Sequence, residues 1–396
     1  MRKNKKYYYK AKHFTSVSGM MYRMKQNAAG LANICILSTM VLVMISSTVA
    51  MYVGMEDILR ERFPRECIVE GYSATEERKE WIDTNLKDIL KKHHLTAENE
   101  VNYSYTGSSV VRNGNALTND QTKIGMDSDY GSVYFLTEEE YNRMENKQVE
   151  LAENQVLTYG TKEQIKDKTI FLNDKEYENQ QISLKKADQD TQSVMSGYYI
   201  VMKNQELIDA FVGEEEEYTI RAYYHAMDFH GKKEDKMAAY EEVQETLSTE
   251  DRSVVTEIRE LSREDFYSLY GTFLFLGIFF GLLFLMATVL IIYYKQISEG
   301  YSDKDRFEIM RKVGMSQREV KQSIRSQVLS VFFLPLTVAV IHIAVAFPVL
   351  TKLLSALNLT NKPLIFLSTV VTVVVFAVFY GIIYGITTKE YYRIVK

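Results

Sequence analysis

Apolar residues are concentrated in four stretches of the chain that contain no Asp, Glu, Lys or Arg. They run over 27–55, 266–294, 326–351 and 363–388. A hydrocarbon layer of about 30 Å needs about 20 helical residues at 1.5 Å each, so every stretch is long enough to cross a membrane. The pattern predicts four transmembrane helices, the first over 28–54 and the others over the full stretches, and excludes a soluble single-domain enzyme.

The first stretch differs from a cleaved signal peptide. Its apolar centre, 31–53, exceeds the usual 7–15 residues, and about 30 residues precede it. We therefore expect a retained helix.

The polar segment between the first two spans, 55–265, alternates strand and helix patterns. It predicts an α+β domain large enough to bury its own core. β-Branched and aromatic residues predict strands over 101–105, 132–136, 169–172, 198–201 and 218–224. Apolar spacing predicts helices over 75–93, opened by a capping box at Ser73–Glu76, and over 233–247. From about Ser262 a helical pattern continues without a breaker into the second span, which predicts one long helix over 262–295.

Charge indicates the orientation. Residues 1–27 hold eight Lys or Arg and no acid, and the loop 295–325 is also basic, so the positive-inside rule places both termini and this loop in the cytosol. Residues 14–27 mix apolar and basic positions as an interfacial helix does. The segment 55–265 is then extracellular, and the protein is a multi-pass protein of the cell membrane.

The predicted outer segment is strongly acidic. Residues 56–265 carry 46 Asp and Glu against 26 Lys and Arg, a formal charge of −20. Such a domain attracts cations, including cationic peptides. A simple need for solubility explains the same composition, so both readings stay open.

The basic loop contains an amphipathic pattern. Phe307, Met310 and Gly314 fall on one line of a helix predicted over 304–313, where Gly314 suits its C-terminal stop. Ser316–Glu319 is a capping box that starts the next helix. The apolar ridge requires either a protein groove or the bilayer surface to cover it.

At this point the chain resembles a known family. One span, a large outer domain and three further spans, together with residues 306–320, resemble the FtsX-like permease domain of ABC transporters. The resemblance implies a coupling helix that docks on a cytosolic ATPase. Its residues here are Phe307, Glu308, Ile309, Met310, Arg311, Lys312, Val313, Gly314 and Met315.

The segment 11–33 resembles more narrowly the bacitracin-type permeases of Gram-positive bacteria, which handle peptides that target the cell wall and signal to a sensor kinase. Those permeases usually have ten spans. The chain is therefore either the C-terminal part of such a permease or a short relative with four spans.

The sequence contains no recognisable catalytic centre. It lacks a phosphate-binding loop, an HExxH motif and paired cysteines, so ATP and Mg²⁺ are expected in a separate subunit and no directly bound cofactor or metal is predicted. The histidines of the outer segment are expected at the surface: His93, His94, His225 and His230.

Several partners follow from the resemblance. They are a dimeric cytosolic ABC ATPase, a sensor histidine kinase, the N-terminal permease half or a second copy, membrane lipids, and a cationic peptide or lipid-linked cell-wall precursor. No nucleic acid is expected.

Small residues and one histidine stand out within the spans. Gly277 and Gly281, and likewise Gly381 and Gly385, lie four apart on one helical face and favour close helix packing. His342, near the middle of the third span, is either a neutral side chain bonded to a neighbouring helix or a proton relay.

Two functions fit the sequence. In the first, an ATPase moves the loop helix, the second span transmits the displacement, and the outer domain senses or removes cationic antimicrobial peptides. The alternative is a membrane-anchored receptor or scaffold that regulates a kinase or a cell-wall hydrolase. An ion-coupled transporter is disfavoured because the spans carry no acidic or basic residue.

Overall fold

The computed structural model of the protein describes residues 28–120, 129–161, 164–184, 196–213, 219–249, 252–312 and 316–395. These residues belong to two compact units. The helical unit comprises 28–55, 267–355 and 359–395, and the sheet unit comprises 56–266 with 356–358. The predicted interfacial helix over 14–27 lies outside the described residues.

Among the described residues, four long helices form the helical unit, and each contains an apolar window long enough to cross a membrane. They are α1 (Ala28–Val53), α7 (Arg259–Lys312), α8 (Gln317–Ser355) and α9 (Lys362–Val395). The first eight residues of α7 belong to the sheet unit. The four apolar helices, with a strand-rich domain between the first and the second, agree with the prediction.

All four helices contribute to one core in the helical unit. It contains Leu42 of α1, Ile292 of α7, Phe332 of α8 and Tyr380 of α9. The Tyr380 hydroxyl donates a hydrogen bond of 2.9 Å to the carbonyl of Phe332. Many other apolar side chains of these helices are exposed, as expected of helices whose outer faces contact lipid.

Five shorter helices lie in the part of the sheet unit that the structure describes, apart from the first residue of α2, which belongs to the helical unit. They are α2 (Met55–Arg62), α3 (Glu76–Lys92), α4 (Glu138–Glu145), α5 (Gln205–Val212) and α6 (Lys233–Leu247). The N-cap of α3 is Thr75, whose side chain accepts a hydrogen bond from the amide of Arg78. The capping box predicted at Ser73 is therefore wrong by two residues, because Ser73 adopts a φ of 56° in the preceding turn.

Ten strands form a mixed sheet in the described part of the sheet unit. They are β1 (Cys67–Tyr72), β2 (Thr96–Asn113), β3 (Ala116–Thr118), β4 (Asp129–Thr137), β5 (Gln155–Gly160), β6 (Thr169–Leu172), β7 (Lys175–Gln181), β8 (Ser196–Met202), β9 (Thr219–His230) and β10 (Val254–Ile258). Their order is β10-β1-β9-β2-β3-β6-β7-β5-β8-β4, and β4 also pairs with β2. The seven strands from β2 to β4 in this order thus close into a ring, and all seven contribute side chains to one core.

The strands β9, β1 and β10 extend the sheet beyond this ring. On one face of this part lie α3 and α6, which bury Ile82, Leu86 and Val243 against Tyr223 and Met227 of β9. The sheet unit therefore has its own hydrophobic cores, as the α+β prediction requires.

Helix α7 is continuous over 54 residues, from Arg259 to Lys312. At 1.5 Å per residue it is about 80 Å long. The separate short helix expected over 304–313 is not found, because its described residues are the last turns of α7. The physical reason is that 295–312 contains no Pro and a single Gly, so nothing ends the helix before Lys312. In the region expected as a cytosolic loop, 295–325, every described residue except Ser316 is helical.

Candidate functional site

The predicted coupling residues lie at the C-terminal end of α7. Residues 307–312 form its last turns, and the structure describes the side chains of Glu308, Ile309 and Lys312 among them. Val313, Gly314 and Met315 lie outside the described residues. Helix α8 starts at Gln317, directly after Ser316, where the second capping box predicts a start.

The described side chains at this end of α7 are open to solvent or to a partner. Ile309 is 60% exposed. The Nζ atom of Lys312 lies 3.3 Å from Oε1 of Glu308, and both side chains are exposed. An exposed pair of this spacing contributes only about 0.3–0.5 kcal/mol. The end of the helix therefore presents an apolar side chain beside a loosely held ion pair.

A row of buried polar side chains lies just before this end, and the sequence analysis did not identify it. Gln296, Glu299 and Asp303 are 4%, 8% and 5% exposed. Their spacing of three and four residues places them on one face of α7. The Nζ atom of Lys295 lies 3.9 Å from Oε1 of Glu299. Polar residues between two apolar stretches are typical of a loop, so no pattern in the sequence marks this buried row.

Asp303 links α7 to α9. The hydroxyl of Tyr391, which is fully buried, donates a hydrogen bond of 2.6 Å to Oδ2 of Asp303. Nearby, a Cβ atom added at Gly300 would lie 3.4 Å from Cγ2 of Ile394. A buried carboxylate is costly unless it is hydrogen-bonded, so this contact fixes the end of α7 against α9.

The two glycine pairs lie in different surroundings. A Cβ atom at Gly277 would lie 2.3 Å from Oγ1 of Thr48, and one at Gly281 would lie 2.7 Å from Cδ1 of Ile45. The first pair therefore lies where α7 approaches α1 closely. Among the described residues, no atom lies within 4 Å of a Cβ built at Gly381 or Gly385.

His342 faces α1. Its Nδ1 atom lies 3.4 Å from Oγ1 of Thr39 and 3.9 Å from Sγ of Cys35. The Thr39 hydroxyl also lies 2.9 Å from the carbonyl of Cys35, to which it donates. This geometry fits a side chain bonded to a neighbouring helix, one of the two alternatives predicted for His342.

His225 of β9 is buried, so the prediction that it lies at the surface is wrong. It is 2% exposed, and α3 covers it. Its Nδ1 lies 2.8 Å from Oδ1 of Asp83 on α3, and its Nε2 lies 2.8 Å from Oε1 of Glu100 on β2. A β-bulge between Glu98 and Val101 contains Glu100. No pattern in the sequence signals this pairing, because α3, β2 and β9 meet only in the folded chain.

The charges around His225 stabilise one another. Burial alone lowers the pKa of His225, but hydrogen bonds to Asp83 and Glu100 outweigh burial and raise this pKa above its ordinary value. Burial raises the pKa of Asp83, yet hydrogen bonds from His225 and Tyr223 bring it below its ordinary value. The cluster is a structural link between α3 and the sheet. Among the residues that the structure describes, no group of three His, Cys, Asp or Glu could hold a metal ion.

Comparison with known proteins finds that this chain is similar to permeases. Residues 278–391 match the family described as FtsX-like permease C-terminal. The chain is 25% identical over 370 residues to the ABC transporter permease protein YxdM of Bacillus subtilis (strain 168), a match that covers 86% of this chain and 52% of YxdM. It is 36% identical over 75 residues to the bacitracin export permease protein BceB of the same organism, covering 19% of this chain and 12% of BceB.

The resemblance predicted from the sequence is thereby confirmed. The chain spans about half the length of YxdM and matches a short part of BceB. FtsX-like ABC permeases are generally non-catalytic membrane subunits, and their family implies a partner ATPase.

Proposed function

We propose that the chain is the permease subunit, or its C-terminal half, of an ABC transporter, because residues 278–391 match the FtsX-like permease C-terminal family. A separate cytosolic ATPase dimer binds and hydrolyses ATP with Mg²⁺. The basic segments 1–27 and 295–325 support an orientation with both termini in the cytosol and the sheet unit outside the cell. The N-terminal half of the permease, or a second copy of this chain, completes the assembly.

The continuity of α7 is the observation that carries this proposal. Helix α7 begins with residues that belong to the sheet unit and ends at the predicted docking residues 307–312. A helix of about 80 Å without an internal Pro resists bending, so a displacement at one end moves the other. The hydrogen bond between Asp303 and Tyr391 would pass part of the same displacement to α9.

The ligand is proposed from charge and from relatives. A formal charge of −20 over 56–265 favours cationic peptides near the sheet unit. The match to a bacitracin export permease points to peptides that act on the cell wall, or to the lipid-linked precursor that such peptides bind. Removing the peptide gives resistance, and a sensor histidine kinase reports the ligand.

The docking end can be tested with two matched variants of the full chain, purified with a tag from membranes of its own host. Ile309→Asp places a charge on the predicted docking surface, and Tyr301→Asp does so at a similarly exposed position two turns earlier, where the exposed fractions are 60% and 64%. We expect wild type and Tyr301→Asp to co-purify vanadate-sensitive ATP hydrolysis, and Ile309→Asp to lose about tenfold or more of it.

Two results would contradict the proposal. Equal ATP hydrolysis in both variants would exclude Ile309 from the docking surface. No ATPase with the wild-type chain would favour the alternative function, a receptor or scaffold that regulates a kinase or cell-wall hydrolase.

A further inference from the structure

A cavity of about 320 Å³ in the sheet unit is lined by four basic side chains. These belong to Lys233 and Lys236 of α6 and to Arg259 and Arg263 of α7. The other lining residues are Glu66, Gly231, Met237, Tyr240 and Glu260. The basic side chains that line this cavity outnumber the acidic ones, so its lining has a positive formal charge within a segment whose formal charge is −20.

Two of these cations already have close partners. The Nζ atom of Lys236 lies 2.6 Å from Oε2 of Glu66, which also accepts from the hydroxyl of Tyr240. Burial raises the pKa of Glu66, but these hydrogen bonds bring it below its ordinary value, so Glu66 is ionised and engaged. The Nε atom of Arg263 donates to Oε2 of Glu260 at 3.0 Å.

The other two cations keep donors available. Lys233 makes no hydrogen bond or ion pair with the residues that the structure describes. Arg259 lies 3.6 Å from Asp228 through one terminal nitrogen, whereas its Nε atom is buried without a hydrogen-bond partner among the described residues. A buried donor left without a partner costs about 1–3 kcal/mol, so the guanidinium of Arg259 has hydrogen-bonding capacity that the described residues do not meet.

The start of α6 adds further donors beside the cavity. The first amides of any helix lack intrahelical partners, and the N-cap of α6, Lys232, provides no side-chain acceptor for them. The adjacent Gly231 has a φ of 157°, and a Cβ atom there would lie 2.3 Å from Cδ2 of Leu95. A larger residue would therefore disturb the turn that borders the cavity.

We propose that this cavity binds a phosphate group, held by Lys233, by Arg259 and by the first amides of α6. A phosphate offers three or more acceptor oxygens, whereas a carboxylate offers two, and donors from a lysine, a guanidinium and a helix start suit the former. Arg259 and Arg263 precede the apolar run of α7 by one or two turns, which places a lipid headgroup within reach as the source. This site does not depend on the proposed transport function.

The test uses the purified full chain in a maltoside detergent and isothermal titration calorimetry. One probe is inorganic phosphate, the second is dihexanoylphosphatidylglycerol below its micelle concentration, and dihexanoylglycerol is the phosphate-free control. The variants are Lys233→Gln and Arg259→Gln, with Lys232→Gln as the matched control, because Lys232 carries the same charge next to the cavity but does not line it. Arg259→Lys retains the charge.

We expect a phosphate-bearing probe to bind one site. Its dissociation constant should rise about tenfold or more in Lys233→Gln and Arg259→Gln and stay within about twofold of wild type in Lys232→Gln. Arg259→Lys should recover part of the loss, which distinguishes a lost contact from misfolding. Binding of both phosphate-bearing probes supports a free phosphate as well as a headgroup, and binding of the lipid alone supports the headgroup.

Three results would overturn the proposal. These are no binding of either phosphate-bearing probe, equal binding of dihexanoylglycerol, and the same loss of affinity in Lys232→Gln as in Lys233→Gln.

Discussion

The two glycine pairs of the membrane helices allow a matched comparison of helix packing. Gly277→Ala adds a Cβ atom 2.3 Å from Oγ1 of Thr48 and 2.8 Å from its Cγ2. Thr48 cannot turn away freely, because its hydroxyl donates to the carbonyl of Met44 at 2.9 Å. Gly381→Ala is the same chemical change on α9, and the added atom meets nothing within 4 Å among the described residues.

The expected difference in the free energy of unfolding between the two variants follows from the contributions that they do and do not share. Replacing Gly by Ala in a helix gains up to about 1 kcal/mol from helix propensity, and both variants share this gain. Only Gly277→Ala also forces α7 away from α1, an overpacking cost of about 1–3 kcal/mol. The free energy of unfolding of Gly277→Ala should therefore be about 1–3 kcal/mol below that of Gly381→Ala.

The assay is reversible unfolding of the full chain in mixed micelles of maltoside and dodecyl sulfate, followed by far-ultraviolet circular dichroism. Thr48→Ala should restore part of the stability lost in Gly277→Ala, since it removes the atom that the new methyl group meets. Free energies of unfolding that agree within about 0.5 kcal/mol for the two glycine variants would refute the close contact between α1 and α7.

Two further predictions concern the buried polar contacts. Tyr391→Phe removes the hydrogen bond to Asp303 and should lower the free energy of unfolding by about 1.5–3 kcal/mol, measured in the same micelles. The control is Tyr384→Phe, because Tyr384 has no side-chain hydrogen bond to Asp303. Equal losses of stability in the two variants would contradict the hydrogen bond between α7 and α9. His225→Gln should destabilise the chain most between about pH 4.5 and 6.5, where the imidazole is protonated and both carboxylates are ionised. The raised pKa of His225 gives stability that is lost as pH rises through this pKa. The lowered pKa values of Asp83 and Glu100 give stability that is lost as pH falls through them. Thermal melting of wild type and variant from pH 4 to 9 tests both pH dependences. A constant difference over that range would contradict the ion pairs.

The apolar helices and much of the local structure were predictable from the sequence, because apolar runs and residue spacing act locally. The strand predicted over 101–105 lies within β2, that over 132–136 within β4, and that over 198–201 within β8. The helix predicted over 233–247 agrees with α6.

What the sequence did not predict depends on contacts between distant residues. The closure of the ring requires β2 to pair with β4 as well as with β3, and no local pattern encodes such pairing. His225 was misplaced because its partners, Asp83 and Glu100, are more than 100 residues away.

The prediction for the end of α7 was wrong for a different reason. The Gly at position 314 and the capping box at Ser316 indicated a helix end and a restart, but nothing in 295–312 separates the predicted short helix from the span before it. Asp303 was consequently predicted to lie in a loop, whereas in the continuous helix it lies on the face that contacts Tyr391.

The central claim is that a displacement at the end of α7 reaches the sheet unit through this helix. Amide hydrogen exchange in residues 56–258, compared between nucleotide-free and ATP–vanadate-trapped complexes with the ATPase, tests it most directly. We predict changed exchange in wild type and in Ser268→Ala, and none in Ser268→Pro, because Pro within α7 removes a backbone hydrogen bond and kinks the helix. Exchange that does not respond to nucleotide in wild type, or that responds equally in Ser268→Pro, would contradict the account.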